Sequence, residues 1–365
     1  MTKRRTSNNM TRSEVRMAAI NKRRPQHIEI PTERQDKSVV QWGDRNSYPD
    51  YLLDLYNSVA TLRSIINGSV DYTVGDDVVS NTARSTFNKE GATAIDIVRQ
   101  LATSYFMYGG FAIEVIRALD GSVAEIYPLD FRQVRRDKDG EQYFVREDWS
   151  ERSGKTLTYP KFVPSFTNEE ASIHYVKNTD TQVYPAPLYA ASIKACEVER
   201  SIDEFHLNSI NNGFMGSYII NFNSGVPSDD EMDEIERNAN EKFTGVQNAG
   251  RLMLCFNDSG ETATTVERLE MDDFGDKYTT LAKHCRQQIF TAFRANPNLF
   301  GIPTESLGFS SEEYESAFKL YNRTQIRPVQ RRIVDALDYI FGVKGCITIK
   351  PFSIEDGETT DTNVQ

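Results

Sequence analysis

The first half of the chain alternates helical spacing with strand-like segments. Residues 49–66 and 95–107 each place apolar side chains three or four positions apart, which predicts a helix in both places. Asp120-Gly121 and Asp139-Gly140 each stand between two strand-like segments, and such dipeptides favour the tight turn of a β-hairpin. Residues 173–177 add a further strand. The pattern indicates an α+β region that begins near residue 41.

Two long helices then flank a small insert. Residues 187–212 contain no internal Gly or Pro, and at 1.5 Å per residue such a helix spans about 39 Å. Residues 276–294 place their apolar side chains on one stripe, which predicts a second long helix. Between them, Ser228-x-x-Glu231 is a capping box that opens a helix towards Phe243. Strand-like segments flank this helix at 217–222, 251–256 and 264–269.

The second long helix is interrupted rather than simply ended. Asn296-Pro297 stops it, because proline disfavours helical geometry in the residue before it. After two glycines, Ser310-x-x-Glu313 forms another capping box and restarts a helix. This helix is expected to kink at Arg327-Pro328 and to continue as far as Gly342. The interruption is apolar at its start and polar at its end.

Composition excludes several classes of protein. The chain has 365 residues, of which 39% are hydrophobic, so it can build a sizeable core. No run of eighteen apolar residues exists, which argues against a membrane span, and the N-terminus lacks a signal-peptide core. The four cysteines are far apart and show no metal-binding spacing, so they are expected to be reduced and mostly buried.

Charge is distributed unevenly along the chain. Residues 1–24 hold eight Lys and Arg against one Glu, a net charge of +7, whereas the whole chain carries −11. Residues 25–365 therefore carry −18, and a body this acidic should not bind DNA tightly. We expect residues 1–40 to form a flexible basic arm, which either contacts a nucleic acid or partner protein or is only a solvated tail. Its candidate contact residues are Lys3, Arg4, Arg5, Lys22, Arg23 and Arg24.

The motifs that suggest enzymatic chemistry are incomplete. Residues 153–156 (SGKT) imitate the end of a phosphate-binding loop, but Trp149 stands where that motif needs glycine, and an extended segment follows. His284 and Cys285 are adjacent on a helix, so they point about 100° apart and favour a core role for the cysteine. No catalytic residue, metal ligand or cofactor is predicted.

The insert helix opens with an acidic run. This run can be a solvated helix face, a docking face for a basic partner, or the magnesium site of a nuclease, although consecutive carboxylates spread around a helix rather than converge. Its candidate docking residues are Asp229, Asp230, Glu231, Asp233, Glu234 and Glu236.

The order of these elements resembles the portal protein of tailed bacteriophages. Supporting segments are residues 105–115 (YFMYGGFAIEV) before a hairpin, 126–130 (IYPLD), and 288–303 (QIFTAFRANPNLFGIP). The resemblance implies a portal-type α+β fold, and it leaves open whether a helical crown is present. The implied parts are a basic arm (1–40), wing (41–186), first stem helix (187–214), clip (215–273), second stem helix (274–294), tunnel loop (295–309), C-terminal wing or crown helices (310–350) and acidic disordered tail (351–365).

The resemblance also implies a function. Portal proteins form rings, expected here to be dodecamers, at one capsid vertex, where double-stranded DNA passes non-specifically during packaging and ejection. Implied partners are the terminase motor, head–tail adaptors, and major capsid and scaffold proteins, in the virion and, during assembly, in the host cytoplasm. The tunnel-loop residues expected to face DNA are Asn296, Asn298, Thr304, Glu305 and Ser306. Two alternatives are a metal-dependent nuclease or other DNA-processing phage enzyme, and a monomeric DNA-binding regulator.

Overall fold

The computed structural model describes most of the chain after residue 30 and one short segment before it. The described residues are 13–18, 31–36, 38–151, 154–165, 169–179, 182–211, 218–222, 228, 230–235, 252–257, 265–268, 275–302 and 311–353. Contacts divide the chain into two compact units. We call Met1–His27 with Val198–His284 the insert unit, and Ile28–Glu197 with Cys285–Gln365 the main unit.

Helices and mostly antiparallel strands build an α+β fold, as the sequence predicted. The strands are β1 (Ser13–Ala18), β2 (Glu33–Asp36), β3 (Val39–Trp42), β4 (Asp77–Ser80), β5 (Gly110–Arg117), β6 (Val123–Pro128), β7 (Val134–Arg136), β8 (Gln142–Val145), β9 (Leu157–Pro160), β10 (Ala171–Lys177), β11 (Tyr218–Phe222), β12 (Leu252–Asn257), β13 (Thr265–Arg268) and β14 (Ile347–Lys350). The α-helices are α1 (Tyr48–Ser58), α2 (Ala60–Val74), α3 (Ala94–Tyr108), α4 (Ile193–Asn211), α5 (Gly275–Phe293), α6 (Ser311–Tyr321) and α7 (Arg327–Phe341).

The first helical run of the main unit is broken at one residue. Its helical spacing predicted one continuous helix over residues 49–66, which is wrong at Val59. That residue has an extended backbone, with φ of −110° and ψ of 106°, and separates α1 from α2. Val59 is only 1% exposed, so its side chain fits the apolar pattern even though its backbone leaves the helix. Apolar spacing alone therefore does not reveal the break.

The helix and hairpins that follow agree with the prediction. α3 extends the predicted range by one residue at each end and begins at a capping box, in which Asp96 Oδ2 accepts a 2.9 Å hydrogen bond from the Thr93 N–H. The β5–β6 and β7–β8 hairpins are confirmed, with Gly121 and Gly140 at φ of 84° and 77°. One three-stranded sheet has the order β10-β5-β6, and another has the order β7-β8-β9.

A buried arginine fixes the turn that leads into α1. Arg135 is fully buried, and its Nε and Nη2 each donate a 2.9 Å hydrogen bond to Asn46, to Oδ1 and to the carbonyl oxygen. Arg45 and Asn46 both have positive φ, at 52° and 65°. Such backbone is costly for residues other than glycine, so the guanidinium bonds stabilise a strained turn.

The sheet of the insert unit corrects the prediction for the basic arm. This sheet has the order β1-β12-β11-β13, in which β1 pairs antiparallel with β12 from Ser13↔Asn257 to Ala18↔Leu252. The arm predicted for residues 1–40 therefore contains a strand, and β2 and β3 form a second pair. Within this strand residues 14–17 (EVRM) alternate polar and apolar types, which is a short strand signal.

The predicted bounds are accurate for the second long helix and less accurate for the first. α5 agrees with the prediction to within one residue. α4 begins at Ile193, six residues later than predicted, so its 19 residues span about 28 Å rather than 39 Å. The preceding segment forms the 3-10 helix Ala190–Ser192, because Tyr189 is fully buried and its hydroxyl donates a 3.0 Å hydrogen bond to the Met107 carbonyl. None of the helices in the described ranges is both long and apolar enough to cross a membrane.

The C-terminal part contains one irregular turn and one strand that the sequence did not predict. The kink expected at Arg327-Pro328 is a π-helical turn, Asn322–Ile326, placed directly before α7. Pro328 has no N–H to continue the regular hydrogen-bond ladder, which favours such a turn. Residues 310–350 were predicted as helices, but β14 pairs antiparallel with β4. The predicted tail from 354 onwards lies outside the described residues.

Candidate functional site

The candidate site is the segment that interrupts the second long helix. α5 ends at Phe293, and Arg294 turns the backbone with φ of 52°. Asn296 then caps the 3-10 helix Pro297–Phe300, because its Oδ1 accepts a 3.0 Å hydrogen bond from the Asn298 N–H. Gly301 closes this short helix at φ of 74°. We call residues 297–302 the loop entrance.

Hydrogen bonds from α2 hold the backbone of the loop entrance. The Tyr72 hydroxyl donates a 2.6 Å bond to the carbonyl of Leu299, which is 5% exposed. Ser64 Oγ donates a 3.3 Å bond to the next carbonyl, that of Phe300. A buried carbonyl without a partner costs about 1–3 kcal/mol, so these donors favour one position of the loop entrance.

A glycine on α2 makes room for the Phe300 ring. A Cβ atom built at Gly68 would lie 2.7 Å from Phe300 Cδ1, whereas carbon atoms in contact lie about 3.5–4.0 Å apart. Gly68 lies in the interior of α2, where glycine is about 1 kcal/mol less favourable than alanine. Close packing of the ring against the helix backbone explains this glycine.

An aromatic cluster surrounds the same segment. The centroid of the Tyr72 ring lies 5.9 Å from that of Phe300, 5.2 Å from Phe318 and 5.1 Å from Phe352. Tyr321 contacts Phe300 at 5.6 Å. All four pairs meet edge to face, the arrangement that the ring quadrupoles favour. The cluster joins α2, α6 and the segment after β14 to the loop entrance.

The two phenols of the cluster remain neutral. Burial raises the pKa of Tyr321 to about 12, and its hydroxyl lies 2.7 Å from Ser69 Oγ. Burial, together with a hydrogen bond to Tyr314, raises the pKa of Tyr72 further. Both side chains therefore serve as hydrogen-bonding and packing groups near neutral pH. The arrangement positions a loop and provides no acid or base.

The structure describes only part of the predicted channel-facing set. Asn296 and Asn298 are half-buried, and the Asn296 side chain is occupied as a helix cap. Thr304, Glu305 and Ser306 lie outside the described residues.

The acidic run of the insert unit begins with the predicted capping box. Glu231 Oε2 accepts hydrogen bonds of 3.0 Å from the Ser228 N–H and 2.9 Å from its hydroxyl. The hydrogen bond from the backbone N–H, and to a smaller extent the one from the hydroxyl, lower the pKa of Glu231. Met232 is 1% exposed, whereas Asp230, Asp233 and Glu234 are exposed, so the carboxylates lie on the solvent side of residues 230–235. Asp229 and Glu236 lie outside the described residues, as does the predicted extension to Phe243.

The fold and its interrupted helix can now be compared with known proteins. A family model described as phage portal protein matches residues 57–352, which is more than three quarters of the chain. The chain belongs to the phage portal protein family. A comparison with curated proteins gives no match.

Solved structures share the portal fold at low sequence identity. A chain in the neck of a native GTA particle, computed with C12 symmetry, matches with a TM-score of 0.52 and 16% identity, covering 83% of this chain and 84% of the other. The neck of an empty GTA particle, computed with C6 symmetry, matches with a TM-score of 0.54, 16% identity and 85% of each chain covered. An HK97 family phage portal protein from Corynebacterium diphtheriae matches with a TM-score of 0.51, 11% identity, and coverages of 82% and 95%.

The remaining candidate motifs of this portal family member are placed as follows. The six cations proposed for the basic arm (Lys3, Arg4, Arg5, Lys22, Arg23 and Arg24) lie outside the described residues. Residues 154–156 lead into strand β9, so the helix required by a phosphate-binding loop does not follow. Cys285 is 3% exposed, which confirms its core position, and His284 is exposed. Within the described residues, no three His, Cys, Asp or Glu side chains are grouped to hold a metal ion.

The sequence did not identify the residues of α2 that hold the loop entrance. Gly68, Tyr72 and Ser64 lie more than 220 residues before the carbonyls or ring that they contact. One signal was available, because a glycine inside a strongly apolar helical run usually has a packing reason. Its partner cannot be read from the chain, since contact between distant segments depends on the fold.

Proposed function

We propose that this chain forms a homo-oligomeric ring, a dodecamer, at one vertex of a tailed-phage capsid. The observation that carries the proposal is the order of elements, in which α4 and α5, of 19 residues each, flank strands β11 to β13 and an interruption follows the second helix. The similar chains from particle necks with C12 and C6 symmetry support a ring in a virion. During assembly the ring would form in the host cytoplasm.

The ring would serve as the channel for double-stranded DNA during packaging and ejection. In this proposal residues 41–186 supply the wing together with the C-terminal helices, α4 and α5 the stem, residues 215–273 the clip, and residues 295–309 the tunnel loop. Residues 25–365 carry a net charge of −18, and like charge disfavours close phosphate contact along most of the wall. No catalytic step or cofactor is needed for this role.

Purified full-length protein provides the first test. Negative-stain images should show rings with a central hole, and the mass in solution should be a fixed multiple of the chain mass of 41.5 kDa. Uniform monomers at high protein concentration would contradict the proposal. A hydrolysis assay of DNA and ATP with Mg²⁺ tests the enzyme alternative, and turnover there would favour that alternative.

The tunnel-loop assignment has its own measurement. We propose that Thr304, Glu305 and Ser306 lie nearest the ring axis, because they form the polar part of a loop whose start is packed on α2. Cysteines placed at 304–306 should form cross-links between subunits or to threaded DNA. Equal cross-linking from a cysteine at exposed Glu90 would show that the reaction is unspecific.

The acidic face of the clip is proposed to dock the terminase motor and later the head–tail adaptor. Four of its carboxylates, on Asp230, Glu231, Asp233 and Glu234, are exposed on one short helix. Reversal of Asp229, Asp230 and Glu234 to Lys should weaken motor binding and leave rings intact. Reversal of exposed acids in the main unit (Glu90, Glu169 and Glu312) is the matched control. Unchanged motor binding by the clip variant across a range of salt would refute the assignment.

The basic arm is proposed to contact scaffold protein, capsid shell or packaged DNA. Deletion of residues 2–24 would also remove β1, so substitution of its six cations (Lys3, Arg4, Arg5, Lys22, Arg23 and Arg24) by Gln is the cleaner experiment. Reduced capsid incorporation or DNA retention is the expected result. If the variant assembles and retains DNA as well as wild type, these residues are only a solvated tail.

A further inference from the structure

Three exposed arginines on the C-terminal helices have no ion-pair partner among the described residues. Arg323 lies in the π-helical turn, Arg327 begins α7, and Arg331 follows one turn later. All three side chains are exposed. Across the ranges that the structure describes, none of the three guanidinium groups takes part in an ion pair or a hydrogen bond. We call them the arginine stripe.

Neighbouring cations behave differently. Lys319, four residues before the stripe, pairs with Glu315 at 2.9 Å. Arg332 donates a 3.2 Å hydrogen bond to the Lys177 carbonyl and lies 6.0 Å from the Tyr105 ring. Among the described residues, the stripe therefore differs from these two neighbours because its guanidinium groups have no polar partner.

The irregular turn helps to keep the stripe on one side. Four residues of regular α-helix advance about 400°, so side chains at a spacing of four drift by about 40° per step. A π-helical turn includes an additional residue and so reduces this drift between Arg323 and Arg327. On the opposite side, Ile326, Val329 and Ile333 are each 3% exposed or less, which shows that the stripe is the outer face.

The stripe begins beside the loop entrance. Phe318 and Tyr321, immediately before it, belong to the aromatic cluster around Tyr72 and Phe300. Under the proposed function this cluster holds the base of the tunnel loop, so the stripe begins at the same base. The following inference rests on that proposed function.

We propose that Arg323, Arg327 and Arg331 contact the phosphate backbone of double-stranded DNA. Guanidinium groups stay charged at all working pH values and bind phosphate oxygens in pairs. Successive members are about 6 Å apart along the helix, and each strand of DNA presents a phosphate about every 3.4 Å of axis, so adjacent arginines reach different phosphates. Such contacts are independent of sequence, as a conduit requires.

A protein partner fits the stripe less well. The core of a protein interface usually contains aromatic or other apolar anchors, and Leu320, 65% exposed, is one apolar side chain beside three cations. The nearby acids are Asp335, which is exposed but forms no ion pair in the described ranges, and Glu315, which is paired with Lys319. An acidic face of a second copy remains the competing occupant.

The test measures how salt changes DNA binding by full-length rings. A labelled 30-base-pair duplex is titrated with wild type and with R323Q/R327Q/R331Q over a salt series, using fluorescence anisotropy. Each lost phosphate contact should reduce the slope of log K against log salt by about 0.9, so a subunit that loses three contacts should reduce it by about 2.7. The variants K319Q and R332Q are matched controls and should retain the wild-type slope, as should R323K/R327K/R331K.

The outcomes separate the inference from the proposed function. The inference is overturned if the triple Gln variant forms rings and keeps the wild-type slope. It is also overturned if wild-type rings bind the DNA duplex no more tightly than rings of the variant. Rings of wild type but monomers of the triple variant would assign the stripe to the subunit interface and also overturn it. A wild-type protein that never forms rings would instead refute the proposed function. Negative-stain images and thermal unfolding of each variant establish that it is folded.

Discussion

Substitution of Gly68 by Ala should have opposite effects in two backgrounds. In the interior of α2, Ala is favoured over Gly by about 1 kcal/mol. The added Cβ would lie 2.7 Å from Phe300 Cδ1, so the ring must move out of its place among Tyr72, Phe290 and Tyr321. Truncation of a buried Phe costs about 3–5 kcal/mol, and about half of that is reasonable for this half-buried ring.

The balance predicts that G68A alone destabilises the protein by about 1 kcal/mol. In F300A the obstacle is absent, so G68A should instead stabilise that variant by about 0.5–1 kcal/mol. The resulting coupling energy is about 2 kcal/mol, well above the scatter between independent sites. The midpoint of thermal unfolding, measured on rings checked by size-exclusion chromatography, should therefore fall by about 2 °C in one background and rise in the other.

The control for this cycle is Q100A, at an exposed position of α3. It should shift the midpoint equally with and without F300A, because Gln100 lies on a different helix from Ser64, Gly68 and Tyr72, which hold the loop entrance. If G68A raised the midpoint by the same amount in both backgrounds, the steric explanation of Gly68 would be refuted.

Three further predictions concern single residues of the main unit. Burial lowers the pKa of His174 to about 4. Between pH 6.5 and 4 the unfolded chain therefore binds more protons than the folded protein, and the free energy of unfolding should decrease by up to about 3 kcal/mol as the pH is lowered. H174F should weaken this dependence of the unfolding free energy on pH, measured by urea unfolding at several pH values. An unchanged pH dependence would contradict the role given to His174. Y72F leaves the Leu299 carbonyl without its donor and should cost about 1–2 kcal/mol in thermal unfolding, whereas no change would show that water replaces the bond. R135M removes both guanidinium bonds to Asn46 and should cost about 2–3 kcal/mol, and a variant as stable as wild type would show that the turn needs no clamp.

Features with local causes were predictable. Asp120-Gly121 and Asp139-Gly140 form their hairpin turns because glycine adopts positive φ at little cost. The Ser228–Glu231 capping box forms from groups three residues apart. Pro297 likewise acts locally, because it has no backbone N–H and so cannot continue the preceding helix in any tertiary context. The order of the predicted elements, together with the segments at 105–115, 126–130 and 288–303, resembled the portal family, and the family match confirms that resemblance.

Features that depend on distant contacts were missed or displaced. β1 and β14 are strands through pairing with β12 and β4, each far along the chain. The start of α4 moved because the buried Tyr189 holds the preceding segment in a different turn. In each case the local pattern permits more than one conformation, and the free energy of a tertiary contact selects one.

The interrupted helix illustrates the division between the two levels. By itself the sequence determined that a helix ends near Asn296-Pro297 and that an apolar segment follows, because proline and side-chain hydrophobicity act locally. Only the tertiary structure decided where that segment goes. It packs on α2 because Gly68 exposes backbone to the Phe300 ring and Tyr72 supplies a donor to the Leu299 carbonyl, 227 residues away. A contact over that separation exists only after the chain has closed a long loop, so the fold and not the local pattern determines it.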